Sequence, residues 1–315
     1  MVLEYIKDMD MIIYKGGNGM SYIVVCNTGS DSLNKINTET FNNQKIILSA
    51  DESPFGPHGL SLYEDKILVA NNYNNSVSLI DYKSFREENN LYIGAHPNDI
   101  VAHEGIAYVS CGESNSLIVY DLINERVNFE VPTGRFPHNI ALEEEKNLIF
   151  ISNMEEESIS VIDYINNREI KRIKVENTPI KISISKNRKY LYVCISYLGC
   201  DKNGSVGIIE LKTLELIGKI EVGLSPVDLF EDNDYIYVSN LCDGSISIVN
   251  LKKLIEENKI IIGGMPRGII KVKENIFVGD YLNGKLNVIG INNKEIKVIP
   301  LGKEPNAMTL VKQIY

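Results

Sequence analysis

Apolar and polar positions fall into short runs along this chain, and the runs recur in a fixed order. Segments such as Ile67-Leu68-Val69-Ala70, Ala107-Tyr108-Val109, Ile149-Phe150-Ile151 and Ile236-Tyr237-Val238 are apolar at every position. That pattern predicts strands covered on both faces. A turn carrying Asn, Asp or Gly follows each, and then a further strand-like run: Ser76 to Asp81, Ser116 to Asp121, Ser158 to Asp163, Ser245 to Asn250. Asp243-Gly244 and Asn283-Gly284 in these turns are hairpin signals. Before each β-rich run stands a first strand, exemplified by Ile100-Val101-Ala102, and a charged turn such as Glu143-Glu144-Glu145-Lys146. A fourth run, such as Glu169 to Val175 or Glu295 to Leu301, closes the unit.

The units are spaced by prolines. Pro57, Pro97, Pro137, Pro179, Pro226, Pro266 and Pro305 follow one another at intervals of 40, 40, 42, 47, 40 and 39 residues. A period near 40 with four short strands per unit predicts a radial β array. The two ends complement each other: Tyr22 to Asn27 is a second strand with no first, and Met308 to Val311 is a first strand with nothing after it. Joining them closes a ring and removes the open edges of a linear array. The expected fold is an all-β, seven-bladed β-propeller of four-stranded antiparallel blades, closed by the C-terminal strand. It forms one domain over residues 22–315, with residues 1–21 as an unplaced N-terminal leader.

Composition narrows the function classes. Hydrophobic residues make up 44% of the 315, with no Trp, so Ile, Val and Leu build the core. The net charge of −10 opposes sequence-blind attraction to nucleic acid or anionic membrane. No basic start followed by an apolar run marks a signal peptide, and no segment has the length of a membrane span. The expectation is a cytoplasmic monomer. Five cysteines without CxxC spacing do not make a disulfide framework.

Tyr108-Val109-Ser110, Tyr192-Val193-Cys194, Tyr237-Val238-Ser239-Asn240 and Ser158-Ile159-Ser160-Val161-Ile162-Asp163 carry a family likeness. So does a glycine three residues before the proline at Gly94, Gly134, Gly223, Gly263 and Gly302. On these residues the chain resembles the YVTN-repeat, YncE-like seven-bladed propellers, nearly throughout from Tyr22 onward. The resemblance implies the fold; the family spans DNA-binding and cell-surface proteins and implies no single activity. Lactonase-type propellers share the architecture, but no catalytic motif of theirs stands in this sequence.

Equal offsets from each proline become equivalent places around one channel. The residues just after proline are His58, Asn98, His138, Ile180, Val227, Arg267 and Asn306, and the next are Gly59, Asp99, Asn139, Lys181, Asp228, Gly268 and Ala307. The ring is lopsided: His58, His96, Asn98, Asp99, Arg135, His138 and Asn139 fall on one arc, Ile180 and Val227 on the other. Converging polar groups beside an apolar wall suit ligand recognition. Tyr73, Tyr197 and Tyr281, just after their second strands, could supply aromatic walls. The longest interval is assigned to an insertion, Tyr197 to Gly204, between second and third strands. Its Asp201-Lys202-Asn203-Gly204 lacks the further carboxylates of a calcium loop and reads as a hairpin turn. Gly16-Gly17-Asn18-Gly19 lacks the Lys-Ser/Thr of a phosphate loop. Asp81, Asp121 and Asp163, which end third strands, read as turn caps.

Three functions are therefore in play. The leading one is a non-enzymatic scaffold holding a protein or small-molecule ligand at the channel mouth, with Arg267 joining the candidate residues above. No GxSxG, HExxH or dinucleotide fingerprint is present. The alternative is a metal-assisted hydrolase or lyase with a divalent ion on His58 and His138, joined by His96 or Asp99. No other cofactor is implied. Nucleic-acid binding through Arg135, Lys181, Arg267 and Lys303 is third.

Overall fold

A computed structural model describes residues 20–48 and 53–312. The leader assigned to residues 1–21 lies, up to residue 19, outside the described residues, as does the glycine-rich turn within it. Seven four-stranded antiparallel sheets follow one another along the chain. Blade 3 is representative: Pro97–His103, Ile106–Cys111, Ser116–Asp121 and Arg126–Pro132 pair in sequence order. Blade 1 is assembled from both ends, with Pro305–Lys312 pairing with Ser21–Asn27 and the sheet continuing to Ser32–Asn37 and Asn43–Ile47. The first strand of every blade contacts the first strand of the next, and blades 7, 1 and 2 close the circle. The protein is a seven-bladed β-propeller.

Seven hydrophobic clusters fill the seven spaces between neighbouring blades. The second strands are apolar throughout because they feed two of these cores at once. Ile67 and Val69 point into the space shared with blade 1, while Leu68 and Ala70 point into that shared with blade 3. Burying one such Ile, Leu or Val contributes about 1.5–3 kcal/mol. Cys26, Cys111 and Cys194 are reduced and buried in these cores as small apolar side chains, and burial pushes the Cys111 thiol up to about 12.

The repeated polar residues form a second lattice inside the blades. The Asn ending a second strand donates its amide to side chains at the start of the third. Asn71 reaches Ser76 and Ser78, Asn153 reaches Ser158 and Ser160, and Asn240 reaches Ser245 and Ser247, all at 2.7–3.1 Å. Asn27 makes the equivalent bonds to Ser32 and Asn34. These four Asn residues are fully buried. They tie each second hairpin together. The glycine before the proline belongs to the same device. A Cβ on Gly134 would lie 2.5 Å from the Asn153 amide nitrogen, and one on Gly223 would lie 2.7 Å from Asn240. In blade 3 the residue replacing Asn is Cys111, and a Cβ on Gly94 would meet nothing closer than 3.4 Å.

The first strands differ from expectation in one respect that matters for the site. They begin at the proline itself, or one residue before it in blade 5, and the proline pairs at the end of the second strand, as Pro57 with Asn71 and Pro137 with Asn153. A register shift follows at once, and it occurs in every blade. Proline suits the first ladder position because it has no N–H to place. The bulge then re-aims the two residues after it.

In blade 5 the insertion is shorter than its sequence indicated. Asn203 and Gly204 belong to the third strand, and Asn203 pairs with Leu224 of a lengthened fourth strand, leaving residues 197–202 as the loop. Further extra residues sit in the hairpin 185–189, where the Ser185 hydroxyl accepts from the Lys189 and Tyr190 N–H groups. Asp121 and Asp163 accept backbone N–H groups two and three residues on, as turn caps do.

Candidate functional site

The bulges turn the residues after each proline into a central cavity of about 150 Å³, lined by both registers from all seven blades. A cavity of about this size holds a molecule no larger than about benzene.

Most wall side chains are occupied in joining one blade to the next. Asn98 donates to the Pro137 carbonyl at 2.8 Å and accepts from Asn72 at 2.7 Å. One position further on, Asn139 accepts from the Ile182 N–H at 2.9 Å and Asp228 from the Ile269 N–H at 3.0 Å. Asp99 accepts from both the Asn139 amide and the Ile140 N–H. In each case a side chain at the bulge bonds a backbone group of the following blade.

The two channel histidines use the same strategy but keep one atom free. His58 Nδ1 lies 2.8 Å from the Asn98 carbonyl and His138 Nδ1 lies 3.3 Å from the Ile180 carbonyl. A carbonyl can only accept, so Nδ1 carries the proton and Nε2 is left as an acceptor. The rings meet edge-on with centroids 5.2 Å apart. Arg267 donates through Nε to Asn306 at 2.5 Å, and its guanidinium lies 5.6 Å from the Tyr281 ring centre. Its terminal nitrogens have no acceptor among the described residues.

Electrostatics fixes which groups are charged. His58, His138 and Arg267 retain some surface, but that surface faces the channel, with protein on all other sides. Burial pushes His58 well below its ordinary value, helped by His138 and by the Arg267 charge. Burial, then Arg267, pushes His138 down to about 3. Both imidazoles are neutral at physiological pH. Burial raises Asp99 to about 6, against the pull of Lys181. Burial alone would lower Lys181; Asp228 and Asp99 outweigh it, and the net shift is upward. Lys181 lies 3.8 Å from Asp228.

The candidate residues divide into two groups. His58, Asn98, Asp99, His138, Asn139 and Arg267 share the cavity wall. His96, Arg135, Tyr73, Tyr197 and Tyr281 do not. His96 packs on Phe136 and lies 3.8 Å from Glu113. Arg135 is exposed and donates to the Glu155 carbonyl, capping the neighbouring hairpin. Tyr73 is exposed at the rim, and Tyr197 is held in the blade-5 loop by Lys202 and Glu176. Tyr281 reaches the cavity only through Arg267. Ile180 and Val227 form an apolar patch with Leu241, Met154 and Met265. The Lys181–Asp228 pair stands beside that patch, so the apolar arc also carries charge. Both residues stood in the second register, two after proline; Lys181 entered only the nucleic-acid reading and Asp228 none. Among the described residues, no group of three His, Cys, Asp or Glu side chains is placed to hold a metal ion.

Compared with known proteins, the chain matches no family model and no curated protein. Solved structures do match it. A functionally unknown protein from Desulfotomaculum acetoxidans superposes with a TM-score of 0.77 at 12% identity, over 92% of this chain and 98% of that one. Kuenenia stuttgartiensis hydrazine synthase gives 0.71 at 15% identity, over 84% and 97%. Citrobacter koseri AztD gives 0.62 at 12% identity, over 94% and 99%. These likenesses show the fold alone. No helix among the described residues is long and apolar enough to cross a membrane.

Proposed function

We propose that the protein is a non-catalytic binding scaffold of the YVTN-repeat type that holds a small molecule in its channel mouth. One observation carries this reading. Nearly every polar group in the wall is consumed by blade-to-blade bonds, yet the Arg267 terminal nitrogens and the Nε2 atoms of His58 and His138 remain open toward one cavity. Closing a ring does not require these atoms, and they face the one space that both registers line. The cavity volume of about 150 Å³ favours a small ligand over a drug-sized one. A partner protein would enter with one side chain.

The metal-assisted reading is weaker. Two imidazoles with free Nε2 atoms resemble half of a metal site. No third ligand of the required kind joins them among the described residues, and the Arg267 charge opposes a cation beside them. Nucleic-acid binding is weaker still, because Lys181 is already paired with Asp228 and the chain carries a net charge of −10.

The four histidines of the chain give a direct assay. In a small-fragment screen monitored by imidazole NMR, a channel ligand moves His58 and His138 together. His103, held by Glu144 at 3.1 Å away from the cavity, serves as the control. A screen in which no fragment moves the channel pair would overturn the proposal.

A further inference from the structure

The open atoms at the channel mouth specify a ligand, not merely a vacancy of suitable size. Arg267 presents a half-buried guanidinium whose fork is free, the group best matched to a carboxylate. The carboxylates in the same wall do not take that role. Asp99 is engaged by Asn139 and Ile140, and Asp228 by Ile269, by the Leu229 N–H and by Lys181. The remaining open atoms are of opposite kind. His58 Nε2 and His138 Nε2 are acceptors, since their Nδ1 protons are committed to backbone carbonyls. A plain carboxylate satisfies Arg267 and leaves both acceptors unmet. A ligand carrying a carboxylate and a neutral donor satisfies both sides.

Charge selects the donor. An ammonium would add a second unpaired positive group beside Arg267, since Lys181 is matched by Asp228 in the same wall. A hydroxyl adds none. Volume selects the size: about 150 Å³ accommodates on the order of five or six non-hydrogen atoms, the size of a two- or three-carbon acid.

We propose that the channel mouth binds a short hydroxycarboxylate, with Arg267 holding the carboxylate and the hydroxyl donating its one proton to the Nε2 of either His58 or His138. This inference rests on the scaffold reading above and names its ligand class.

The test is titration of the full chain with glycolate and lactate, read by the His58 and His138 resonances and by calorimetry. Both acids are expected to bind at one site and to move that pair but not His103. Acetate, which lacks the hydroxyl, is expected to bind about tenfold more weakly, the loss of one hydrogen bond in an enclosed site. R267Q is expected to weaken glycolate at least about tenfold. R267K, which keeps the charge and loses the fork, is expected to fall between, and it replaces R267Q should the latter fail to fold. Equal binding of acetate and glycolate, tighter binding of glycine than of glycolate, or unchanged affinity in a folded Arg267 variant would each overturn the inference. If other fragments move His58 and His138 while no hydroxy acid does, the scaffold reading stands and this ligand class falls. If nothing moves them, both fall.

Discussion

Two sets of polar side chains sit opposite each other where a first strand begins and a second strand ends. Pro57 faces Asn71, Pro137 faces Asn153 and Pro226 faces Asn240 across the ladder. On the second-strand side the residue is the same in four blades, fully buried, and bonded within its own hairpin. Just past the proline, the residues are His, Asn, His, Ile, Val, Arg and Asn in turn; His58, Asn98, His138 and Arg267 are bonded to the following blade, and the two histidines and the arginine keep atoms left over. Polarity that repeats holds the architecture together. Each repeated Asn leaves its Oδ1 without a partner among the described residues, inside the blade, whereas polarity that changes from blade to blade leaves its open atoms facing the channel, where the ring can meet something else.

Breaking the repeated set should cost the most. Asn153→Ala removes a buried amide and takes away the donor to the Ser158 hydroxyl, while Ser160 keeps the Gly134 N–H, and is expected to lower unfolding free energy by about 3 kcal/mol in urea titrations. Gly134→Ala should cost about 2 kcal/mol by overpacking, because the new Cβ strikes the Asn153 amide. That cost should shrink in the Asn153→Ala background, whereas Gly94→Ala stays within about 0.5 kcal/mol of wild type. An unchanged Gly134→Ala penalty in the double variant would separate the glycine from the asparagine.

The channel set should appear in the pH dependence. An unfolded imidazole binds its proton near pH 6.5, and folded His138 does so only at about 3. Between those values the unfolded chain takes up protons, so stability falls as pH drops from neutral. At pH 5 the loss from His138 is about 2 kcal/mol. Asp99 runs the other way: raised to about 6, it binds a proton first in the folded state and returns about 1 kcal/mol at pH 5. The net expectation is acid destabilisation that His138→Asn reduces. A variant with the wild-type difference between pH 7 and pH 5 would remove His138 as its source. At the small end, Arg135→Ala, exposed and outside the cavity, should change stability by no more than about 0.5 kcal/mol and leave ligand titrations unaltered.

The sequence by itself determined the ring. Seven evenly spaced prolines, β-rich runs apolar on both faces and complementary chain ends specify four-stranded blades that close, because both faces of a second strand must be covered and edge strands must be paired. Proline spacing also brought His58, His138 and Arg267 to one channel wall, since equal offsets in a closed array map to equal places. Only the tertiary structure separated look-alikes within that ring. Asn153 and Asn139 are both polar residues beside the mouth, yet one stitches its own hairpin and the other the next blade. His96 and Arg135 stand two residues or fewer before their prolines, ahead of the bulge, and so miss the channel that the residues after the proline line. The bulge decides this through backbone register, and register depends on pairing with strands distant in sequence. Which atoms remain open after those pairings are made is a property of the closed ring alone.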